Sequence, residues 1–168
     1  GCDFSGCSSS GSRMEGVVFG GGTKLCGAVL SRGVYSGCDF TGASMDGARA
    51  SRASFAGGKL TARQIESMDN DFSHARLVGL EISWWNGLTI QSKKFQGVDF
   101  SKSQFVPHRN NNRPSAFFRG CDFGGSNFSG VSAKNFYDFH YRNCDLSGSD
   151  FSGCDFSGCQ NFCIQKDC

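Results

Sequence analysis

The sequence has little of what a large apolar core or a membrane segment requires. Only 38% of its 168 residues are hydrophobic, it has two prolines, and no apolar run approaches 18 residues. A transmembrane helix is therefore not expected, and no secretory or transit segment is visible. The 17 Lys and Arg against 15 Asp and Glu leave a net charge of +2, which argues against a strong electrostatic field for nucleic acid or membranes.

Motifs of the common catalytic classes are missing as well. The chain has no G-x-x-x-x-G-K-[ST], no G-x-S-x-G and no H-E-x-x-H. Its three histidines, His74, His108 and His140, have no Ser, Cys or Asp partner that spacing would identify. The cysteines near the C-terminal end do not have a zinc spacing, and whether they form a disulfide cannot be read from sequence. We therefore expect no enzyme activity, no cofactor and no metal site.

What the chain has instead is 24 glycines and a repeat of five residues. From residue 38 to 65 every fifth residue is apolar or Ala, and the residue two positions earlier is small. The apolar series is Phe40, Met45, Ala50, Phe55, Leu60 and Ile65, and the small series is Cys38, Ala43, Ala48, Ala53 and Gly58. Helices repeat at 3.6 residues and strands at 2, so this period predicts a chain that turns a corner every five residues. Four corners close a square coil of about 20 residues, and stacked coils cover one another's apolar column.

Five copies of one pattern, C-D-[FL]-x-G, mark this repeat. They begin at Cys2, Cys38, Cys121, Cys144 and Cys154. The pattern resembles the pentapeptide-repeat family, whose consensus is A-[DN]-[LF]-x-x, with Cys or Ser here at the position where Ala is commonest. The resemblance covers nearly the whole chain. It implies an all-β, right-handed quadrilateral β-helix, a pentapeptide-repeat solenoid of about seven to eight coils.

We expect one domain, residues 1–168, with a long inserted loop near 106–116 and an irregular C-terminal cap at 159–168. The sequence begins in mid-repeat, as expected of a processed chain or a fragment. The aspartates that precede the central apolar residues belong to the repeat and are not expected to be paired catalytic carboxylates. Residues twenty apart should stack, for example Tyr35 on Phe55.

The repeat register breaks at several places. One residue is inserted near Gly20–Gly22, and the pattern slips by two residues between Glu66 and Asn70. Phe105 and Phe118 are 13 apart where five is expected, so eight residues loop out. The register of residues 66–90 and 133–145 stays open.

Two features are candidates for binding a partner. Trp84 and Trp85 cannot both point inward in an extended chain, and multiples of five favour Trp85 as the inward residue. The exposed Trp is either an interface anchor or a cover for the register slip. The Val106–Ala116 loop is either functional, as loops on rigid scaffolds often are, or a tolerated insertion. The candidate interaction residues are therefore Trp84, Trp85, Pro107, His108, Arg109, Arg113 and Pro114.

The leading hypothesis is a non-enzymatic structural or scaffold protein that binds protein partners, as an accessory subunit of a larger assembly. The resemblance implies that such an assembly could be a photosynthetic membrane complex, and it leaves the location open between an organelle interior, for example the thylakoid lumen, and the cytoplasm. End-to-end homodimers are also open.

Two alternatives remain. The resemblance implies that some family members mimic DNA and bind gyrase or topoisomerase, but those are strongly acidic rods and this chain is not. A nucleic-acid-binding module would use a thin basic patch, namely His108, Arg109, Arg113, Lys93 and Lys94.

Overall fold

The computed structural model describes residues 1–85, 88–107, 114–134, 136–157, 159 and 161–163, without the side chains of 162 and 163. Within them the chain forms short parallel strands and one short helix. The strands are β1 Arg13–Glu15, β2 Val34–Ser36, β3 Lys59–Thr61, β4 Glu81–Trp84, β5 Thr89–Gln91, β6 Gln104–Pro107, β7 Ser115–Arg119, β8 Asp138–Arg142 and β9 Asn161–Cys163, and the helix is α1 Ala62–Ser67. The sheets pair in the orders β1-β2, β3-β4-β6 and β5-β7-β8-β9.

The strands and the isolated bridges between them stack into four faces, which we call A to D in the order in which each coil visits them. Face A begins with the ladder Asp3–Lys24–Ser44 and continues in β5, β7, β8 and β9. Face B contains Ser8–Val29–Arg49 and Asp71–Lys94–Asp122–Asp145. Face C runs from β1 and β2 to Asp150, and face D from Val18 through β3, β4 and β6 to Asp155. The solenoid expected from the sequence is confirmed.

The number of fully covered coils is slightly below the seven to eight expected. The face C ladder connects seven successive levels, from Arg13 to Asp150. In the first coil, residues 3–19 are mostly exposed, and from Cys144 onward the inward side chains are only partly buried. About five turns therefore have a fully covered interior, because each end coil has a neighbour on one side only.

The interior is the predicted column of every fifth residue. The series from Phe40 to Ile65 is at most 2% exposed, and the small residues that precede its members are buried too. Tyr35 stacks on Phe55 with ring centroids 5.5 Å apart, as expected. Phe128 stacks on Phe151 at 4.6 Å. Burying one such side chain contributes about 1.5–3 kcal/mol.

In the coils without a helix, three of the four corners have a residue in the left-handed backbone region. It is the second residue after the central one on faces A, B and C, as at Gly57 with φ of 67°. Where this residue is not glycine it still has a positive φ, for example 61° at Arg32 and 58° at Arg52. At the corner from face D to face A, Gly42 has no such conformation. The three A, B and C corners therefore share one geometry, and the fourth does not.

Four of the five insertions in the described ladders fall at this fourth corner; the fifth, of two residues, follows α1, because the N–H of Asp69 still bonds the oxygen of Ala48 before the spacing changes from 20 to 22. A coil without insertion pairs residues 20 apart, as Val34 with Ser54, whereas Arg13 and Val34 are 21 apart across Gly20–Gly22. The spacing is 22 across α1, 23 across residues 85–88 and 28 across 106–116; the pairs are Lys59 with Glu81, Glu81 with Gln104 and Gln104 with Ser132. The inserted residue, the two-residue slip and the eight-residue loop are therefore confirmed. Three-residue insertions account for the two regions whose register stayed open.

Helix α1 is a departure from the all-strand expectation. It replaces the face A strand of its coil and begins with a capping box. The Thr61 hydroxyl accepts from the backbone N–H of Gln64 at 3.1 Å, and the Gln64 side-chain oxygen accepts from the N–H of Thr61 at 2.8 Å. The Gln64 amide also donates to the backbone oxygens of Phe40 and, at 2.8 Å, Ala43. These bonds fasten the helix to the coil beneath it.

Lys93 binds the C-terminal end of α1 and is therefore not available to bind nucleic acid. It occupies the inward position where most repeats have a small residue, and it is only 2% exposed. Its ammonium group donates to the backbone oxygens of Glu66 and Met68 at 2.6 and 2.8 Å and to the Asn70 side chain at 3.1 Å. A cation at a helix C-terminus is stabilising, while burial lowers the Lys93 pKa. The proposed role of Lys93 in a nucleic-acid patch is therefore wrong.

The repeat aspartates close their own turns. The carboxylate oxygen of Asp145 accepts from the N–H of Ser147 at 2.9 Å, and Asp150 and Asp155 accept in the same way from the residue two positions on. These backbone hydrogen bonds lower the pKa of all three carboxyls. Asn127 makes the same bond to Ser129 at 2.9 Å, so the turn accepts either residue type.

The corner geometry predicts the effect of a methyl group at glycine. Gly57→Ala should lower the free energy of unfolding by about 1 kcal/mol, because a left-handed L-residue costs roughly 1–2 kcal/mol and lower freedom of the unfolded chain offsets part of that. Gly20→Ala is the control, since Gly20 has no positive φ. The added carbon meets nothing within 4 Å at either site. Equal urea midpoints for both variants would contradict the backbone argument.

The hydrogen bonds of the repeat aspartates predict that the free energy of unfolding decreases at acid pH. Because their pKa values in the folded chain lie below the ordinary 3.8, their contribution is complete above that pH and is lost as the pH falls through the lowered values. The triple variant Asp145→Asn, Asp150→Asn, Asp155→Asn should fold and lose less stability below pH 3.8 than the unaltered chain. Urea unfolding between pH 2 and 6 measures this, and two parallel curves would refute it.

Candidate interaction surface

The corner from face D to face A forms one side of the solenoid that we call the insertion edge. It consists of residues 20–22, 61–70, 85–88, 106–116 and 134–138. Successive insertions contact one another: Trp84 and Pro107 are register partners on β4 and β6. The backbone oxygen of Pro114 accepts from the N–H of Tyr137 at 2.7 Å. The described ends of these insertions therefore lie next to one another along this side.

The two tryptophans lie on opposite sides of the backbone, with the assignment reversed from the expectation. Trp84 is 1% exposed and packs against Phe118 at 5.1 Å between ring centroids, while Trp85 is 44% exposed. The reason is that β4 alternates as a strand, so that Ile82 and Trp84 both point inward. The Trp84 indole donates to the backbone oxygen of Leu88 at 3.1 Å. Trp84 is thus a core residue, and Trp85 is the tryptophan that a partner could reach.

The long loop is described only at its two ends. Pro107 is the last residue of β6, and Pro114 directly precedes β7; both are half-buried. The candidate residues His108, Arg109 and Arg113 lie outside the described residues. The structure thus brings Pro107 and Pro114 to the insertion edge together with Trp85.

A groove of about 470 Å³ lies between Trp85 and α1. Its lining includes Arg63 and Gln64 of the helix and Asp46 of the coil beneath. Sequence reasoning missed these residues because it did not find α1. The signal was present, since T-A-R-Q at 61–64 is a capping-box pattern. The groove therefore places one positive charge, one negative charge and the Gln64 amide beside the exposed Trp85 ring.

Charges on the faces are arranged in columns of alternating sign. Asp71, Lys94 and Asp122 are successive ladder partners, as are Asp39, Lys59 and Glu81. Lys59 forms its ion pair with Glu81, at 3.7 Å, although Asp39 is its other neighbour. Such exposed pairs are worth only about 0–1 kcal/mol. The alternation therefore gives these columns little net charge.

Neither metal ligands nor a membrane helix stand out in the described part of the chain. No group of three or more His, Cys, Asp or Glu residues there could hold a metal ion. Within the same residues, no helix is long and apolar enough to cross a bilayer.

Substituting each tryptophan separately tests the reversed assignment. Trp84→Ala should lower the free energy of unfolding by about 3–5 kcal/mol, because it removes a buried aromatic side chain. Trp85→Ala should change it by about 0.5 kcal/mol or less, as for other surface substitutions. Urea unfolding followed by far-UV circular dichroism measures both. A larger loss for Trp85→Ala would show that the assignment is wrong.

Comparisons with known proteins agree with this architecture. The family model described as pentapeptide repeats matches residues 36–61 and 135–160, with eight copies. No curated protein matches the sequence.

Solved structures with the same kind of fold have low sequence identity to this chain. A trypsin-treated QnrB1, described as a plasmid-mediated fluoroquinolone resistance protein, is 18% identical, covers 92% of this chain and 88% of its own, and has a TM-score of 0.40. HetL, a pentapeptide repeat protein involved in heterocyst differentiation regulation from the cyanobacterium Nostoc sp. strain PCC 7120, is 12% identical over 99% of this chain and 92% of its own, with a TM-score of 0.37. The matched repeats, together with the four-cornered coils that carry them, make this chain similar to the pentapeptide-repeat proteins.

Proposed function

We propose that this protein is a non-enzymatic scaffold that binds a protein partner through its insertion edge, as an accessory subunit of a larger assembly. The observation that carries the proposal is that four of the five insertions lie at one corner, where α1 also begins. Loops on a rigid support are where binding residues concentrate. Insertions spread evenly over four corners would not favour one side of the solenoid.

The centre of the proposed interface is Trp85 and the groove beside it. A half-exposed tryptophan next to a concave surface is the type of residue that dominates binding energy at protein interfaces. Arg63 of α1 and Asp46 line the same groove and can pair with charged groups of a partner. Pro107 and Pro114 fix the two ends of the long loop at the same edge.

The charge arrangement favours this proposal over mimicry of DNA. A DNA mimic needs an excess of acid along one face, whereas the Asp71–Lys94–Asp122 and Asp39–Lys59–Glu81 columns alternate in sign. Direct binding of nucleic acid is also disfavoured, because Lys93 is buried and the net charge is only +2.

Capture of partners from the native source tests the proposal. The full chain, Trp85→Ala and Phe4→Ala are used as baits, followed by crosslinking and quantitative mass spectrometry. Phe4 is the matched control, because it is 43% exposed and lies on face A of the first coil, away from Trp85. Trp85→Ala should reduce recovery of the partner at least tenfold, since an interface anchor is worth about 2 kcal/mol or more, and Phe4→Ala should not.

The crosslinks give a second criterion. They should concentrate on residues 61–70, 85 and 106–116, and connect them to subunits of one stable assembly. Equal recovery with both variants, or crosslinks confined to face C, would refute the proposal. Recovery of a type II topoisomerase would favour the DNA-mimic alternative instead.

A further inference from the structure

Two arginines are neighbours of like charge on face A, unlike the alternating columns of faces B and D. Arg119 at the end of β7 and Arg142 at the end of β8 are register partners on neighbouring strands, which lie about 4.8 Å apart. Like charges opposite each other on adjacent strands are destabilising. No ion pair joins either guanidinium to a carboxylate of the described residues.

The two arginines line a depression with further polar groups. Its volume is about 230 Å³, and Thr89, Gln91 and Phe117 contribute to its lining. Gln91 is the register partner of Arg119 on β5, so the three side chains follow one another along the face. The Arg142 guanidinium lies over the Phe117 ring, 5.5 Å from its centroid. This contact orients one arginine while Arg119 remains exposed.

Buried donors without an acceptor lie in the same cluster. His140, 9% exposed, has its Nδ1 3.5 Å from Nη2 of Arg142. Because arginine can only donate, Nδ1 accepts and Nε2 of His140 carries the proton. Both His140 Nε2 and Arg142 Nε are buried and have no hydrogen-bond partner among the described residues. Such orphaned groups are rare in folded proteins, and what this cluster lacks is an acceptor.

The nearby carboxylates are engaged elsewhere. One oxygen of Glu66 accepts from the N–H of Gln91 at 3.0 Å. Asp122 and Asp145, around the next corner, each accept from the backbone of their own turn at 2.9 Å. Among the described residues, none of these carboxylates forms an ion pair with Arg119 or Arg142.

We propose that the outer surface of β7 and β8 is a binding site for one oxyanion group, a phosphate or a carboxylate, held between Arg119 and Arg142. Guanidinium groups bind both through paired, charge-assisted hydrogen bonds. Gln91 and Thr89 provide further polar groups at the rim. The site is independent of the insertion-edge proposal, because it lies on the strands of face A and does not involve Trp85.

Titration with inorganic phosphate and, separately, with acetate tests the site and identifies the preferred oxyanion. Ionic strength is held constant with chloride, and the Nε–H resonance of Arg142 and the melting temperature are followed. We expect saturable shifts with one of the two anions. Saturation by phosphate alone assigns the site to phosphate groups, and saturation by acetate alone assigns it to carboxylates. A response to neither anion overturns the proposal.

Substitutions distinguish binding at this site from nonspecific attraction of anions to arginines on the surface. Arg142→Gln should weaken binding about tenfold or more, as the loss of a charged hydrogen bond predicts. Arg119→Gln, at an exposed position, gives the same test without disturbing a half-buried side chain. The matched control is Arg32→Gln with Arg52→Gln, a second pair of exposed arginines on successive coils. If the control pair weakens binding as much as Arg119→Gln does, the site is not specific and the proposal is wrong.

Discussion

The structure depends on closing a coil with 20 residues, and the left-handed corner residue makes this possible. At three corners one residue has a positive φ, which residues other than glycine adopt only at a cost. Arg32 and Arg52 adopt it nevertheless, because the coils above and below fix the backbone through hydrogen bonds such as Tyr35 N–H to Ser54 O at 2.7 Å. Each coil therefore imposes its register on the next, and a change of length at one of these corners would misalign a whole face.

The fourth corner is free of that constraint, which explains how one chain contains both a strict repeat and insertions of one to eight residues. Extra residues at this corner loop out between faces D and A. Pairing with the neighbouring coil resumes on face A, so that faces B, C and D stay aligned with those of that coil. The most extreme case is α1, which replaces a strand altogether. The helix is accepted because Gln64 bonds the coil beneath it and Lys93 bonds the carbonyl groups at its C-terminus. A buried lysine in a position otherwise held by Ala or Cys thus compensates for the missing strand.

The sequence was sufficient to predict the solenoid, its inward column and the sizes of the insertions, because each of these is a spacing between Phe or Leu residues. It was insufficient where two periods compete. Multiples of five assign Trp85 to the core, but β4 alternates with period two and buries Trp84. The helix was missed since a capping box at 61–64 is a short signal inside a run that fits the repeat. The Arg119–Arg142 pair could not be found either, because the residues are 23 apart and become neighbours only once both insertion lengths are known.

The surface charges have a structural explanation at most positions, and this makes the exception informative. In a solenoid the same column position recurs on every coil, so like charges would accumulate at a spacing of about 4.8 Å unless the sequence alternates them. Asp71, Lys94 and Asp122 follow that rule, and the Asp122–Asp145 pair that departs from it binds backbone N–H groups within its own turns. Within the described residues, Arg119 and Arg142 have no such bond to their own turns, and the Arg142 guanidinium contacts Phe117 and His140. Arg32 and Arg52 are also exposed like charges on successive coils, so repulsion alone does not identify a site. What distinguishes Arg119 and Arg142 is the depression that they line and the buried donors beside it, and a bound anion would relieve both the repulsion and the lack of acceptors.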